Sequence, residues 1–296
     1  MEQLHFACTA CGKCCTEPPE MTVLEAVRLG DVFVPSLVYR LTSVPRDDND
    51  AALASLSPHP HFRGMDAREL VTKLRESTAV RAAGAVVHEP GWDHHIAITV
   101  RPWTFATRGC PMLSGRDCTI HARRPHTCRT VPVRYDVPEG LLVRAFRGTV
   151  DAGRASADPF ECDVSDAAPV LLEEGAVVDR EYQSARAAGI EAALAERDLA
   201  ARLLQHPLLP RVDRVYPELR KNKLVSVSFH GALVAAHEHG LVDTAAARTF
   251  CSAQLTLLDR EITAALARKR REDRDVTARF RTLESAYETL LARYAV

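Results

Sequence analysis

The 296-residue sequence has no long apolar run, no excess of one charge and none of the common catalytic fingerprints. No stretch approaches the ~18 uncharged apolar residues of a membrane span. The opening Met1-Glu2-Gln3-Leu4-His5-Phe6 carries no basic segment leading into an apolar one, so a cytoplasmic protein with no membrane partner is expected. Basic residues number 38 and acidic residues 39, which argues against duplex DNA or anionic lipid as a dominant partner. Basic and aromatic residues are not interleaved either, so nucleic-acid binding is not expected. Gly-x-Gly-x-x-Gly, a Walker A loop, Gly-x-Ser-x-Gly, His-Glu-x-x-His and the radical SAM spacing Cys-x3-Cys-x2-Cys are all missing, so no familiar signature names a reaction. Lysine is scarce beside arginine and alanine is abundant, a composition that suggests a GC-rich bacterial genome.

What the sequence does contain is 46% apolar residues, enough for a real core, and nine cysteines. In a reducing compartment, closely spaced thiols in a chain this long point to metal or redox chemistry before structural disulfides. Their placement divides the chain. Cys8, Cys11, Cys14 and Cys15 open it, Cys110, Cys118 and Cys128 form a second group, Cys162 follows, and Cys251 stands apart. The expected architecture is α+β: an irregular cysteine-cluster domain with short strands and helices over 1–170, then a mostly α-helical region over 171–296.

In the first region, Thr22 with Glu25 predicts a capped helix to about Leu29, and Asp66 with Glu69 another to about Glu76. Ile96–Val100 reads as a strand, residues 129–135 and 141–147 as a hairpin around Pro138-Glu139-Gly140, and 43–65 as a long surface loop. In the second region, helices are expected near 179–205, 222–239, 243–271 and 273–294, separated at His206-Pro207, Pro210, Pro217 and Gly240. Cys251, Leu255, Leu258, Ile262 and Leu266 follow helical spacing, which makes Cys251 a buried, inert thiol. The run Arg268-Lys269-Arg270-Arg271 is followed at once by acidic residues and reads as a solvated helix end. His237-Glu238-His239 reads the same way, His94-His95 is a tempting pair for a second metal, and His59 and His61 fall in the proline-rich loop.

The chemistry concentrates in two strings. In Cys8-Thr-Ala-Cys11-Gly12-Lys13-Cys14-Cys15, thiols three residues apart on a tight turn can aim at one ion, with Gly12 supplying the positive φ that turns backbone amides toward sulfur. The second string runs from Cys110-Pro111 through Cys118, His121, Arg124-Pro125 and His126 to Cys128-Arg129. Cys8, Cys11 and Cys14 with a remote Cys-Pro resemble the ferredoxin run and favour a 4Fe-4S iron-sulfur cluster; the Cys8-x2-Cys11-Gly12 knuckle is also that of a tetrahedral zinc site, the alternative. Eight thiols outside the helical region suffice for two centres, one from Cys8, Cys11, Cys14 and Cys110 and another from Cys15, Cys118, Cys128 and Cys162. His121 is placed to replace a thiolate or to hydrogen-bond one, and Arg124 and Arg129 to offset the negative charge of a thiolate-bound centre.

Together, Phe6-x-Cys8-x2-Cys11-Gly12-x-Cys14-Cys15, Cys110-Pro111-x-Leu113, Cys118-x-Ile120-His121, Arg124-Pro125 and Cys128-Arg129 resemble the YkgJ family of cysteine-cluster proteins, over roughly residues 6–165. Cys162 resembles that family's late cysteine, although Asp163-Val164 follows it where the family has Pro-Gly. The resemblance implies a zinc- or iron-chelating domain. The family is more distantly similar to flagellin lysine methylases, which brings in an enzyme that modifies a peptide or protein side chain. A zinc-binding structural or accessory protein is the alternative.

Overall fold

The computed structural model describes residues 2–10, 12, 15, 18–46, 66–81, 83–103, 110–115, 117–155 and 161–295. The strands are β1 (Gln3–His5), β2 (Pro35–Pro45), β3 (Ala83–Glu89), β4 (Trp92–Pro102), β5 (Leu113–Ser114), β6 (Asp117–Cys118), β7 (Val170–Glu173), β8 (Ala176–Val177) and β9 (Leu224–Ser228). The helices are α1 (Val23–Arg28), α2 (Ala67–Arg81), α3 (His126–Arg129), α4 (Leu142–Arg154), α5 (Arg180–Ala195), α6 (Arg197–Leu203), α7 (Val212–Asn222), α8 (His230–Glu238), α9 (Thr244–Arg268) and α10 (Arg274–Arg293). The chain is α+β with a helical C-terminal region. Among the described residues, no helix is long and apolar enough to cross a membrane.

Contacts group the chain into two compact units built from alternating segments. The first comprises Met1–Glu17, Leu41–Ala97 and Met112–Arg197; the second comprises Pro18–Arg40, Ile98–Pro111 and Asp198–Val296.

In the first unit, β1 pairs antiparallel with β7, β7 with β8, and β3 with β4. Its main core joins Val133, Leu142, Ala145, Phe146, Val150, Leu171, Leu172 and Tyr182, with Leu4 and Phe6 packed against it. Leu142, Ala145, Phe146 and Val150 fall at helical spacing, which is why residues 142–154 form α4 and the hairpin expected over 129–147 does not form. The turn residues Pro138-Glu139-Gly140 do not join two strands; the 3.6-residue period over the longer window decides. Pro138, extended at φ −57° and ψ 146°, ends the preceding turn and leads into the helix. Asp66 receives the amides of Arg68 and Glu69 at the start of α2, as the capping signal implied. Residues 43–45 belong to β2, not to a loop, while 47–65, with His59 and His61, lie outside the described residues.

In the second unit, Thr22 and Glu25 form the reciprocal capping box of α1 at 3.1 and 3.0 Å. The first half of β2 pairs antiparallel with β9, from Ser36 opposite Ser228 to Arg40 opposite Leu224. The single helix expected over 222–239 is therefore two elements, β9 and α8. Leu224-Val-Ser-Val-Ser228 alternates and gains ladder hydrogen bonds from β2, while Lys223, left-handed at φ 64°, ends α7 before it. Pro217 lies inside α7 without ending it, forgoing the backbone bond to the carbonyl of residue 213. The segment expected as one helix over 179–205 likewise divides at Glu196 into α5 and α6.

α9 buries Ala247, Phe250, Cys251, Gln254, Leu258, Ile262 and Ala265, so its apolar stripe passes through Ala265, and Leu266 is exposed. Gln254 donates to the Gly30 and Phe33 carbonyls at 2.5 and 2.7 Å, tying the turn after α1 to this helix. Phe250 packs against Phe229 and edge-on against Tyr287. Arg268 bonds Asp273 at 2.8 Å and Lys269 takes a left-handed φ of 54°, so the basic run is a helix end. Cys251 is 0% exposed, and burial pushes its thiol up to about 12. Alkylation of Cys251 in the native chain at neutral pH is expected to run at least about 100-fold slower than in denaturant, as read by peptide mapping; comparable rates would contradict the buried assignment.

Candidate metal centre

Residues 3–9 lie antiparallel against 161–173. β1 and β7 pair through Leu4 opposite Leu172, His5 Nδ1 meets the Ala168 carbonyl at 2.7 Å, and the Phe6 amide donates to Pro169 at 3.0 Å. Ala7 and Asp163 then exchange both backbone bonds, at 2.7 and 3.0 Å, and Thr9 Oγ1 donates to the Glu161 carbonyl at 3.1 Å. The apolar side chains fix this register. Leu4 and Phe6 enter the main core, and Phe6 meets Phe146 edge-on at 6.4 Å.

That register sets Cys8 directly opposite Cys162, and the two sulfurs hydrogen-bond. Cys8 is exposed and Cys162 half-buried. The Ala10 amide also donates to the Cys8 sulfur. Ala10 and Gly12 both have positive φ, 55° and 71°, and the Cys15 amide closes a turn onto the Gly12 carbonyl at 3.0 Å. The positive φ expected at Gly12 is present, but the amide on the Cys8 sulfur is that of Ala10, and the turn at Gly12 closes onto its own carbonyl. The Cys8 thiol is pulled down to about 5, first by the Cys162 hydrogen bond, then by the Ala10 amide and the electrostatic influence of Arg124 and His121, with burial opposing.

The second string forms a small scaffold. Leu113 on β5 faces Cys118 on β6 across a turn containing Gly115, and Thr119 holds the Met112 carbonyl with its amide at 2.9 Å and its hydroxyl at 3.0 Å. A short 3-10 turn, His121–Arg123, follows; Arg124 Nε donates back to the His121 carbonyl at 3.1 Å. Pro125 opens α3, which carries the half-buried Cys128. Of the two arginines expected to balance charge, Arg124 acts on Cys8, while Arg129 is exposed at the end of α3.

Behind α3, residues 130–137 are held by α5. The buried Tyr182 hydroxyl lies within hydrogen-bonding reach of the Thr130 and Val133 carbonyls and accepts from the Val133 amide at 3.1 Å. Arg186 donates to the Arg134 and Val137 carbonyls, each at 3.0 Å. α5 approaches this closely because residue 189 is glycine; a Cβ there would lie 2.6 Å from the Tyr135 ring. Tyr182 and Arg186 were not among the residues expected to shape the site. Their only sequence signal is the capping residue Asp179, which receives the Tyr182 amide at 2.7 Å.

Cys8 and Cys162 thus meet, although the expected division put them in different centres. Cys15, Cys118 and Cys128 are half-buried in the same unit, Cys110 is half-buried in the second unit, and Cys11 and Cys14 lie outside the described residues. Among the described residues, no group of three or more His, Cys, Asp or Glu forms an ion cage. The donor chemistry nonetheless suits thiolate ligation: two sulfurs in contact, an amide on one of them, and the charge of Arg124 acting on it. His94 and His95 do not act as a pair. Neighbours on a strand project to opposite faces; His94 is buried against Ser43 Oγ at 2.8 Å and Glu89 at 3.4 Å. His237 and His239 engage Thr244 and Arg202 separately, and Glu238 meets His206 and Arg293, all around the end of α8. No family model matches the sequence, and no curated protein or solved structure matches it.

Proposed function

We propose that this chain is a metal-binding protein of the cysteine-cluster type, whose first unit holds an iron-sulfur cluster of the 4Fe-4S kind through cysteine thiolates. The observation that carries the reading is the meeting of Cys8 and Cys162, 154 positions apart in sequence, with the Ala10 amide on the Cys8 sulfur and the charge of Arg124 acting on it. Metal binding is a good physical reason to gather reduced, charge-compensated thiols at a surface. The ligand candidates in this unit are Cys8, Cys11, Cys14, Cys15, Cys118, Cys128 and Cys162. Such a cluster supplies electron-transfer or substrate-binding chemistry. The chain's own residues supply the rest: Arg124 and His121 offset thiolate charge, and Tyr182 and Arg186 hold the backbone that follows Cys128. The more distant similarity of YkgJ proteins to flagellin lysine methylases extends the proposal to modification of a peptide or protein side chain, in the cytoplasm, where thiols stay reduced.

The second reading is a structural zinc without catalysis, favoured by the Ala10 amide on the Cys8 sulfur and the positive φ at Gly12, which suit a zinc knuckle as well. Anaerobic purification followed by an absorption spectrum and iron, sulfide and zinc quantitation separates the two. A brown chain with roughly four irons and four sulfides per centre is expected. A colourless chain with stoichiometric zinc would replace this reading with the second, and a chain with neither would sink both.

A further inference from the structure

Ala7 and Asp163 exchange both of their backbone hydrogen bonds, which makes them the hydrogen-bonded pair of an antiparallel ladder. The next pair, Cys8 and Cys162, then occupies the non-hydrogen-bonded position, where Cα atoms approach to about 4.5 Å and side chains lie closest. A disulfide needs Cα atoms roughly 4.4–6.8 Å apart. The Thr9 hydroxyl on the Glu161 carbonyl holds the same register one pair further on. The sulfurs are already in hydrogen-bond contact, and Cys8 is exposed to a soluble oxidant.

We propose that Cys8 and Cys162 close into a reversible cross-strand disulfide when no metal is bound, so that thiol oxidation gates the site. The gating rests on the metal reading given above; the disulfide itself does not. The oxidant is a low-molecular-weight disulfide. The exposed Cys8 sulfur loses its proton and attacks one sulfur of the oxidant, releasing one thiol and leaving a mixed disulfide. Cys162 then loses its proton and attacks the Cys8 sulfur, releasing the second thiol. Two protein thiols are oxidised and one small disulfide is reduced. Two sulfurs joined in this way no longer serve as thiolate ligands, and a bound metal in turn withholds both from the oxidant.

The test uses the full chain, stripped of metal with a chelator, treated with oxidised glutathione, alkylated and mapped without reductant. A Cys8–Cys162 linked peptide lighter by about 2 Da, two hydrogens, is expected. It should disappear on reduction and in Cys8→Ser and Cys162→Ser, and persist in Cys118→Ser. Chain preloaded with metal should be protected, and this comparison in unmutated protein stands should the variants fail to fold. Oxidised chain should take up iron or zinc at least about tenfold less well than reduced chain. A Cys8–Cys11 link, or a glutathione adduct that stays on Cys8, would overturn the proposal even where metal binds normally. A Cys8–Cys162 link in a chain that takes up neither iron nor zinc when reduced would overturn the metal reading and the gating with it.

Discussion

Cys8→Ser and Cys162→Ser are each expected to lose the metal, with affinity falling at least about 100-fold. Disturbing a group that merely supports a ligand costs roughly 10–100-fold, so removing a ligand should cost no less. Serine keeps the size of cysteine but has no thiolate to offer, and iron-sulfur clusters are held by thiolates. Arg124→Ala should retain metal with a smaller loss, since Arg124 acts on Cys8 through charge and not as a donor. Iron, sulfide and zinc analysis of the three variants beside the parent chain checks the ranking. Equal metal in parent, Cys8→Ser and Cys162→Ser would remove both residues from the ligand set. Loss of metal together with loss of the circular-dichroism signature would instead call for stability measurements before ligation is inferred.

Tyr182→Phe is expected to destabilise the first unit by roughly 2–4 kcal/mol, because a buried backbone group left without its partner costs about 1–3 kcal/mol and this hydroxyl serves more than one. It accepts from the Val133 amide and has one proton to share between the Thr130 and Val133 carbonyls. Phenylalanine fills the same space, so packing against Leu142 and Leu171 is retained and the loss is polar. Denaturant melting followed by peptide-resolved hydrogen exchange reads the effect, which should centre on residues 130–137. Cys128 lies two residues before that stretch, so its alkylation should speed up in the same variant. An unchanged midpoint would mean that Arg186 alone holds the segment.

Much of the local structure was legible because its causes are local. The Thr22 and Glu25 capping box, the Asp66 cap, the apolar stripe of α9 with Cys251 on it, and the positive φ at Gly12 each depend on residues within a few positions of one another. Elsewhere distant partners override local preference. Leu224–Ser228 lies in helix-rich sequence but is a strand because β2 supplies its hydrogen bonds. Residues 141–147 follow a Pro-Glu-Gly turn that suggests a hairpin, yet 142–154 are helical because Leu142, Ala145, Phe146 and Val150 share one face of the core.

The cysteines divide along the same line. Sequence alone separated eight ligand candidates from one inert thiol, since spacing and helical period are properties of the chain itself. Only tertiary structure brought Cys162 to Cys8, made Arg124 the cation that acts on Cys8, and set Tyr182 and Arg186 behind α3. These follow from one antiparallel register and one helix packing, both decided by which apolar side chains share a core. No spacing rule carries that information, because the segments concerned lie far apart along the chain.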